Sequence, residues 1–286
     1  MSGEQVTRGV VVGLDPARDW HLAVAWAADE AHRRRIPLSL VVALPAREDL
    51  RGPDGAPRPS PRRHAGAQIL HDASEWARSR HPGLVPVTEL VDGFPLGVLG
   101  LLSREAQLVV LGSRHLNRTE EFLSESSIVV PFAARAKCPV VVVGDAEHVT
   151  QQPPYLVVGV DGSAHSQAAL AFAFEEASLR GAALRTISVW QPPVFALHDE
   201  AAVLQAQRAL LSESTAGWSD KYPDVPFTHE VPVGHPVEQL SPATEHALAV
   251  VVGRRGRGGY TGMRLGSVVH GLLHRAHCPV VIVPAG

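Results

Sequence analysis

The sequence predicts an α/β protein made of two tandem domains, each a doubly wound, parallel five-stranded sheet. Three observations carry this expectation. The chain has 286 residues, about twice a common domain length. It also repeats itself. AARAKCPVVVVG around Cys138 returns as LHRAHCPVVIVP around Cys278, AQLVVLGSR returns as ALAVVVGRR so that Gly112 aligns with Gly253, and the opening stretches align Asp15 with Asp161. Three segments in one order, at offsets of 140 to 146 residues, mean two copies of one domain-sized unit. Finally, each copy alternates short Val-, Ile- and Leu-rich runs with helical patterns, and such runs with little polar alternation read as strands buried on both faces of a parallel sheet.

The elements of the second copy follow in order. Strands are expected at Leu156–Val160, Leu184–Trp190, Phe227–Val233, Leu248–Val252 and Val280–Val283. Between them, Ser166–Arg180 is Ala-rich and ends before Gly181, a helix-stopping glycine. Glu200–Tyr222 is a longer helical stretch, broken by Gly217 and stopped by Pro223. Pro236–His246 is short and contains Pro242, so its helix boundaries stay open, and Ser267–Ala276 is the last helix. The first copy repeats this order, with one irregular stretch, RGPDGAPRPSPRR at 51–63, that reads as a flexible, proline-rich surface insertion. The polar AEHVTQQPPY with Pro153 and Pro154 breaks the pattern and divides the chain into residues 1–150 and 151–286.

Composition narrows the function classes. An apolar fraction of 45% and a charged fraction of 19% exclude a wholly disordered chain. A net charge of −3 supplies no global field for nucleic acid or an anionic membrane. Trp20, Trp26, Trp76, Trp190 and Trp218 are scattered, without the basic-aromatic interleaving of a nucleic-acid surface. No run approaches the ~18 apolar residues of a membrane span. The start MSGEQVTRGVVVG lacks the basic and apolar segments of a signal peptide, so a cytoplasmic protein is expected. Two cysteines cannot build a disulfide scaffold, and each precedes a proline at the start of an apolar run, which predicts packed, inert thiols. His270 and His274 share a helix face with His277 nearby, but with no carboxylate close in sequence they read as a solvated surface rather than a zinc site.

Ligands of such sheets bind beyond the carboxyl ends of the strands, where the topology switches direction. The segment after the fourth strand of copy two, VVVGRRGRGGYTGMRLGSVVHGLL, is therefore the informative one. Glycines there let backbone N–H groups approach a ligand closely, and a helix N-terminus behind the loop favours an anion. Ser267 can cap that helix or reach a phosphate oxygen. Arg254, Arg255, Arg257 and Arg264 bring a charge of +4. A glycine-rich loop also serves as a plain flexible connection, so composition alone leaves both roles open. No GxxxxGK[ST] stretch is present, and the glycines do not follow the first strand, so the segment is neither a P-loop nor a dinucleotide fingerprint.

The spacing Gly253-x2-Gly256-x9-Gly266-Ser267, together with Asp161 closing the first strand in VGVDGS and the last strand CPVVIVP, resembles the ATP-binding pattern of the universal stress protein family. The resemblance spans nearly the whole chain as a tandem two-domain member. It implies strand order 3-2-1-4-5 in each domain. It also implies an intramolecular pseudo-dimer in which the fifth strands, Pro139–Val143 and Pro279–Val283, pair. Tandem members often associate further, which adds a homodimer to the expectations. By the same resemblance, Asp161 contacts the nucleoside, the backbone at Val189 holds adenine, and the glycine loop with Ser267 holds the phosphates of ATP, with Mg2+. The implied set is Gly159, Val160, Asp161, Val189, Val252, Gly253, Arg255, Gly256, Gly266, Ser267, Val268 and Val269.

Copy one departs from the pattern. Its segment VVLGSRHLNRTEEFLSESSIVV keeps Gly112 and Ser126 but has His115 and Glu125 where the two later glycines stand. Glu120, Glu121 and Glu125 against Arg114 and Arg118 give a net −1. Asp15 is followed by Pro16-Ala17 in place of Gly-Ser. A non-binding or much weaker domain is expected, or one with a different ligand. The function implied by the resemblance is an ATP-binding regulatory protein of the stress response, with ATP hydrolysis slow at most. The alternatives are a slow ATPase and a dimerisation or interaction module without nucleotide. A ligase of related architecture would need an SGGxDS-type loop after the first strand, where this chain has DGSAHS.

Overall fold

The structure, a computed structural model, describes residues 8–45, 61–113, 128–144, 149–192, 200–257 and 264–285. Described residues up to Gly144 form one compact unit, and those from Val149 onward form a second.

In the first unit the order is β1 (Val10–Leu14), α1 (His21–Arg34), β2 (Leu38–Leu44), α2 (Pro61–Arg80), β3 (Val87–Asp92), α3 (Pro95–Leu102), β4 (Leu108–Ser113), α4 (Val129–Ala133) and β5 (Val140–Gly144). The strands lie side by side as β3-β2-β1-β4-β5. All neighbours are parallel, with Val12 set between Leu40 and Val110. The central strands are apolar on both faces because both faces are covered: α1 packs beside α2, and α3 beside α4. Val10, Val11, Val12, Val109, Val110 and Val141 are fully buried.

The second unit runs β6 (Tyr155–Gly159), α5 (Ala164–Arg180), β7 (Ala183–Ile187), α6 (Glu200–Thr215), α7 (Trp218–Lys221), β8 (Phe227–Glu230), α8 (Pro236–Ala243), β9 (Val250–Gly253), α9 (Ser267–Arg275) and β10 (Val280–Val283). Its strands, again all parallel, lie as β8-β7-β6-β9-β10. Strand order 3-2-1-4-5 thus holds in both units.

The duplication extends to buried polar contacts. Glu30 on α1 and Glu176 on α5 are both buried, and each pairs one helical turn on with an arginine, Arg34 and Arg180. Ser103 and Thr244, also buried, each donate a side-chain hydrogen bond back to a carbonyl three residues earlier, Gly100 and Ser241. Each then accepts an N–H from the segment before the last strand, Lys137 at 3.2 Å and His277 at 2.9 Å. Leaving either oxygen unpartnered in the core would be costly.

Several boundaries differ from expectation. β7 ends at Ile187 instead of Trp190, and β8 at Glu230 instead of Val233; beyond these ends the two segments stay joined by the Ser188 and Trp190 N–H groups, which donate to Glu230 and Pro232, and by an isolated Trp190–Val233 bridge. The expected helix 200–222 is two helices, since Gly217 adopts φ +81°, which interrupts helical bonding. α5 begins at Ala164, two residues early, because Ser163 caps it by accepting the Ser166 N–H at 3.1 Å. The irregular insertion expected at 51–63 stops sooner: Pro61 already opens α2, and proline suits a first helical turn. Arg63 there pairs with Asp92. The rest of that insertion, residues 51–60, lies outside the described residues, as do residues 145–148 near the expected domain boundary.

Candidate functional site

In the second unit the carboxyl ends of β6, β7 and β9 meet where the sheet changes direction. The Val160 N–H donates to the Ile187 carbonyl at 2.9 Å, so the turn after β6 and the segment after β7 stand side by side. Beyond β7, Ser188 and Trp190 donate their N–H groups to Glu230 and Pro232. Val189, between them, has neither its N–H nor its carbonyl bonded among the described residues. A half-buried backbone donor and acceptor are thus left open at the end of a strand.

Asp161 sits two residues past β6 and is half-buried. Its Oδ1 accepts the Ser163 N–H at 3.0 Å, and its Oδ2 accepts the Arg257 N–H at 2.8 Å. The carboxylate therefore ties the first-strand turn to the loop after β9, across 96 residues of sequence. Burial pushes this carboxyl up, but hydrogen bonds from Ser163, the Arg257 amide and Ser166 outweigh it and hold the group below the usual carboxylate range. It is an anion at neutral pH.

Gly256 explains itself against this carboxylate. A Cβ there would lie 2.4 Å from Asp161 Oδ2, so the loop passes too close for any side chain. Gly253, at the end of β9, meets a different neighbour: a Cβ would fall 2.6 Å from the His165 carbonyl carbon and 2.7 Å from its oxygen, in the first turn of α5. Gly266 has room by comparison, with Arg254 O at 3.4 Å and Arg255 Cα at 3.5 Å from a built Cβ. The glycines expected to admit phosphate are therefore not equivalent. Gly256 admits Asp161, and Gly253 admits the start of a helix.

The loop returns to α9 by way of the Gly266 N–H, which donates to the Arg254 carbonyl at 2.9 Å. Gly266, not Ser267, occupies the cap position, and Ser267 is the first helical residue, exposed. The expectation that Ser267 caps the helix is thus corrected; its hydroxyl is left for another partner. The first intrahelical bond comes from His270 to Gly266. Among the described residues the N–H groups of Ser267, Val268 and Val269 have no acceptor, as at any helix start without a side-chain cap. Around them stand Arg254, Arg255 and Arg264, the last two exposed. Burial and the neighbouring Arg255 lower the Arg254 guanidinium. Residues 258–263, with Gly258, Gly259 and Gly262, lie outside the described residues.

Of the residues expected from the sequence, Gly159, Val160, Asp161, Val189, Val252, Gly253, Arg255, Gly256, Gly266, Ser267, Val268 and Val269 all fall at this end of the sheet or on the loop and helix that follow it. Val160, Val252 and Val269 bury their side chains, so any role at this end of the sheet falls to their backbones. His165 is an addition. Its Nε2 is buried without a hydrogen-bond partner among the described residues, and burial with Arg255 and Arg254 lowers its ring below the usual histidine range. Its place four residues after Asp161, on the helix facing the loop, was the available signal.

The first unit differs at the matching turn. Ala17 replaces the capping serine, and α1 starts only at His21, a turn later than α5 does in its own unit, with Trp20 at the cap and no side-chain cap bond. Asp15 is exposed; its Oδ1 accepts the Ala17 N–H at 2.9 Å, and its Oδ2 pairs with Arg18 Nε at 3.1 Å. The loop residues Arg114, His115, Arg118, Glu120, Glu121, Glu125 and Ser126 lie outside the described residues.

The chain matches the universal stress protein family over residues 7–144 and again over 155–284. The chain belongs to that family. It is 36% identical over 294 residues to universal stress protein Rv2005c of Mycobacterium tuberculosis, covering 99% of each chain. Among solved structures, a universal stress protein from Archaeoglobus fulgidus has the same fold over 99% of this chain and 98% of its own, with TM-score 0.72 and 15% identity. Another Archaeoglobus fulgidus universal stress protein, solved in complex with dAMP, matches 48% of this chain and 98% of its own at TM-score 0.37 and 19% identity.

Both cysteines are buried free thiols, and burial pushes each up to about 12. Among the described residues, no three His, Cys, Asp or Glu side chains cluster to hold a metal ion, and no helix is long and apolar enough to cross a membrane.

Proposed function

We propose that the second unit binds ATP with Mg2+, and that the chain is a nucleotide-binding regulatory protein of the stress response rather than an enzyme with a substrate of its own. The observation that carries this reading is the row of amides at Ser267, Val268 and Val269, without an acceptor among the described residues and next to a loop with four arginines in sequence. Orphan N–H groups, the positive end of a nine-residue helix and added cations are what a polyphosphate requires. Two further groups fit the rest of a nucleoside. The anionic Asp161 can accept hydrogen bonds from sugar hydroxyls, and the open Val189 backbone can pair with the edge of a base. The triphosphate brings its own Mg2+.

Hydrolysis is slow or absent on this account, because a carboxylate held low by two backbone N–H donors is a weak general base. A cytoplasmic location and association of two chains belong to the same proposal. The test is titration of the full chain with Mg-ATP, beside Asp161→Ala and Arg255→Gln. The wild type binds, and each variant weakens binding about tenfold, the scale of one lost charge-assisted hydrogen bond. Absence of wild-type binding, or wild-type affinity in both variants, overturns the proposal.

A further inference from the structure

The first unit holds a cavity of about 490 Å³ at the corresponding end of its own sheet. It opens beyond β1, β2 and β4, and its walls include Leu14, Val41, Leu44, Leu99, Leu111 and Val129, all buried side chains. Helix α2 closes one side with Ala65 and Arg62. The space falls in the range of small-molecule sites, which are mostly apolar with a few placed polar groups.

The charges around this space do not suit a nucleotide. Asp15 lines it, but its carboxylate is answered by Arg18 and by the Ala17 N–H. Arg62 also lines it, at an exposed position, and has no ion-pair partner among the described residues. One positive charge without an ion-pair partner among the described residues therefore lines an apolar chamber. The sequence that follows β4 carries a net −1 and lacks the later glycines, so it brings no net positive charge toward several phosphates. A ligand with an apolar body and a single negative charge matches both features. Its body removes apolar wall from water, and its acid group reaches the guanidinium.

We propose that the first unit binds a small amphipathic monocarboxylate in this cavity, with the apolar body against Leu99 and Leu111 and the carboxylate on Arg62. This site is separate from the nucleotide reading of the second unit and does not depend on it.

The test uses 2-naphthoate and its uncharged isostere 2-naphthamide as probes, titrated calorimetrically into the full-length chain. One 2-naphthoate binds per chain. Arg62→Gln weakens naphthoate about tenfold and leaves naphthamide unchanged, because only the acid meets the guanidinium. Ala65→Trp, on an exposed helical position that tolerates a large side chain, abolishes binding of both probes while thermal unfolding stays near the wild type. Saturating Mg-ATP leaves naphthoate affinity unchanged. The proposal is overturned if naphthoate fails to bind at millimolar concentration, if Ala65→Trp leaves it bound, if Arg62→Gln weakens acid and amide alike, or if Mg-ATP displaces it. A chain that binds naphthoate but no ATP would refute the nucleotide reading alone, and one that binds ATP but no naphthoate would refute this one alone.

Discussion

Replacing Gly256 by alanine probes the contact that joins the two halves of the second-unit site. The added methyl would stand 2.4 Å from Asp161 Oδ2, so carboxylate and loop must separate by about 1 Å to reach ordinary contact. That shift takes the 2.8 Å bond from the Arg257 N–H out of hydrogen-bond range. A hydrogen bond to a charged acceptor is worth about 1.5–3 kcal/mol, and the exposure of Arg257 brings this one to about 1 kcal/mol. The unfolding midpoint of the second unit should fall by about 3–5 °C, and Mg-ATP should bind about five- to tenfold more weakly as Asp161 leaves its place. A double-mutant cycle isolates the cause. In an Asp161→Ala background the methyl meets no oxygen, so Gly256→Ala should cost less than about 0.5 kcal/mol further, in stability and in binding. Calorimetric titration and thermal unfolding of the four proteins read both. Equal costs of Gly256→Ala in the two backgrounds would refute the reasoning and return this glycine to a direct role against phosphate.

The neighbouring positions should behave differently. Gly253→Ala pushes against the backbone of α5 at His165, which cannot swing away, so it should destabilise the second unit by about 1–3 kcal/mol in denaturant melts; Gly266→Ala, with contacts no closer than 3.4 Å, should leave stability within about 0.5 kcal/mol. Cys138 and Cys278 should not react with a thiol reagent in the native chain. Because their folded pKa values are raised from 9.0 to about 12, their contribution to stability is complete below pH 9 and is lost as pH rises toward 12. A Cys138→Ala, Cys278→Ala protein should lose that alkaline slope in pH-dependent melts, and an unchanged slope would assign it to other groups.

The architecture was readable because it is written in long-range repetition and in apolar runs. AARAKCPVVVVG and LHRAHCPVVIVP mark the same place in two domains, and valine runs buried on both faces leave few alternatives to a covered parallel sheet. Strand ends were less legible. Leu184–Trp190 has no glycine or proline to break it, and nothing local says that the regular strand stops at Ile187 while single hydrogen bonds carry on to Trp190. The capped start of α5 could have been found: Ser163 stands three residues before Ser166, whose N–H it accepts. The candidate site was legible as a list of residues, most of them through family resemblance, but not as a set of contacts. That Gly256 makes room for Asp161, and Gly253 for His165, depends on elements distant in sequence that only folding brings together. The apolar cavity of the first unit was hidden for the same reason, since its walls come from both sides of the sheet-end turn and from α2.

The stoichiometry of Mg-ATP on the intact chain tests the central claim most directly. The second unit combines Asp161 with a Val189 backbone and three amides at the start of α9 that have no partner among the described residues, and with four arginines in sequence. The first pairs Asp15 with Arg18 and follows β4 with a net negative segment. Isothermal titration should therefore give one nucleotide per chain, bound about tenfold more weakly in Asp161→Ala and with unchanged affinity in Asp15→Ala. A stoichiometry near two, a single site lost with Asp15→Ala, or no binding at all would contradict the account.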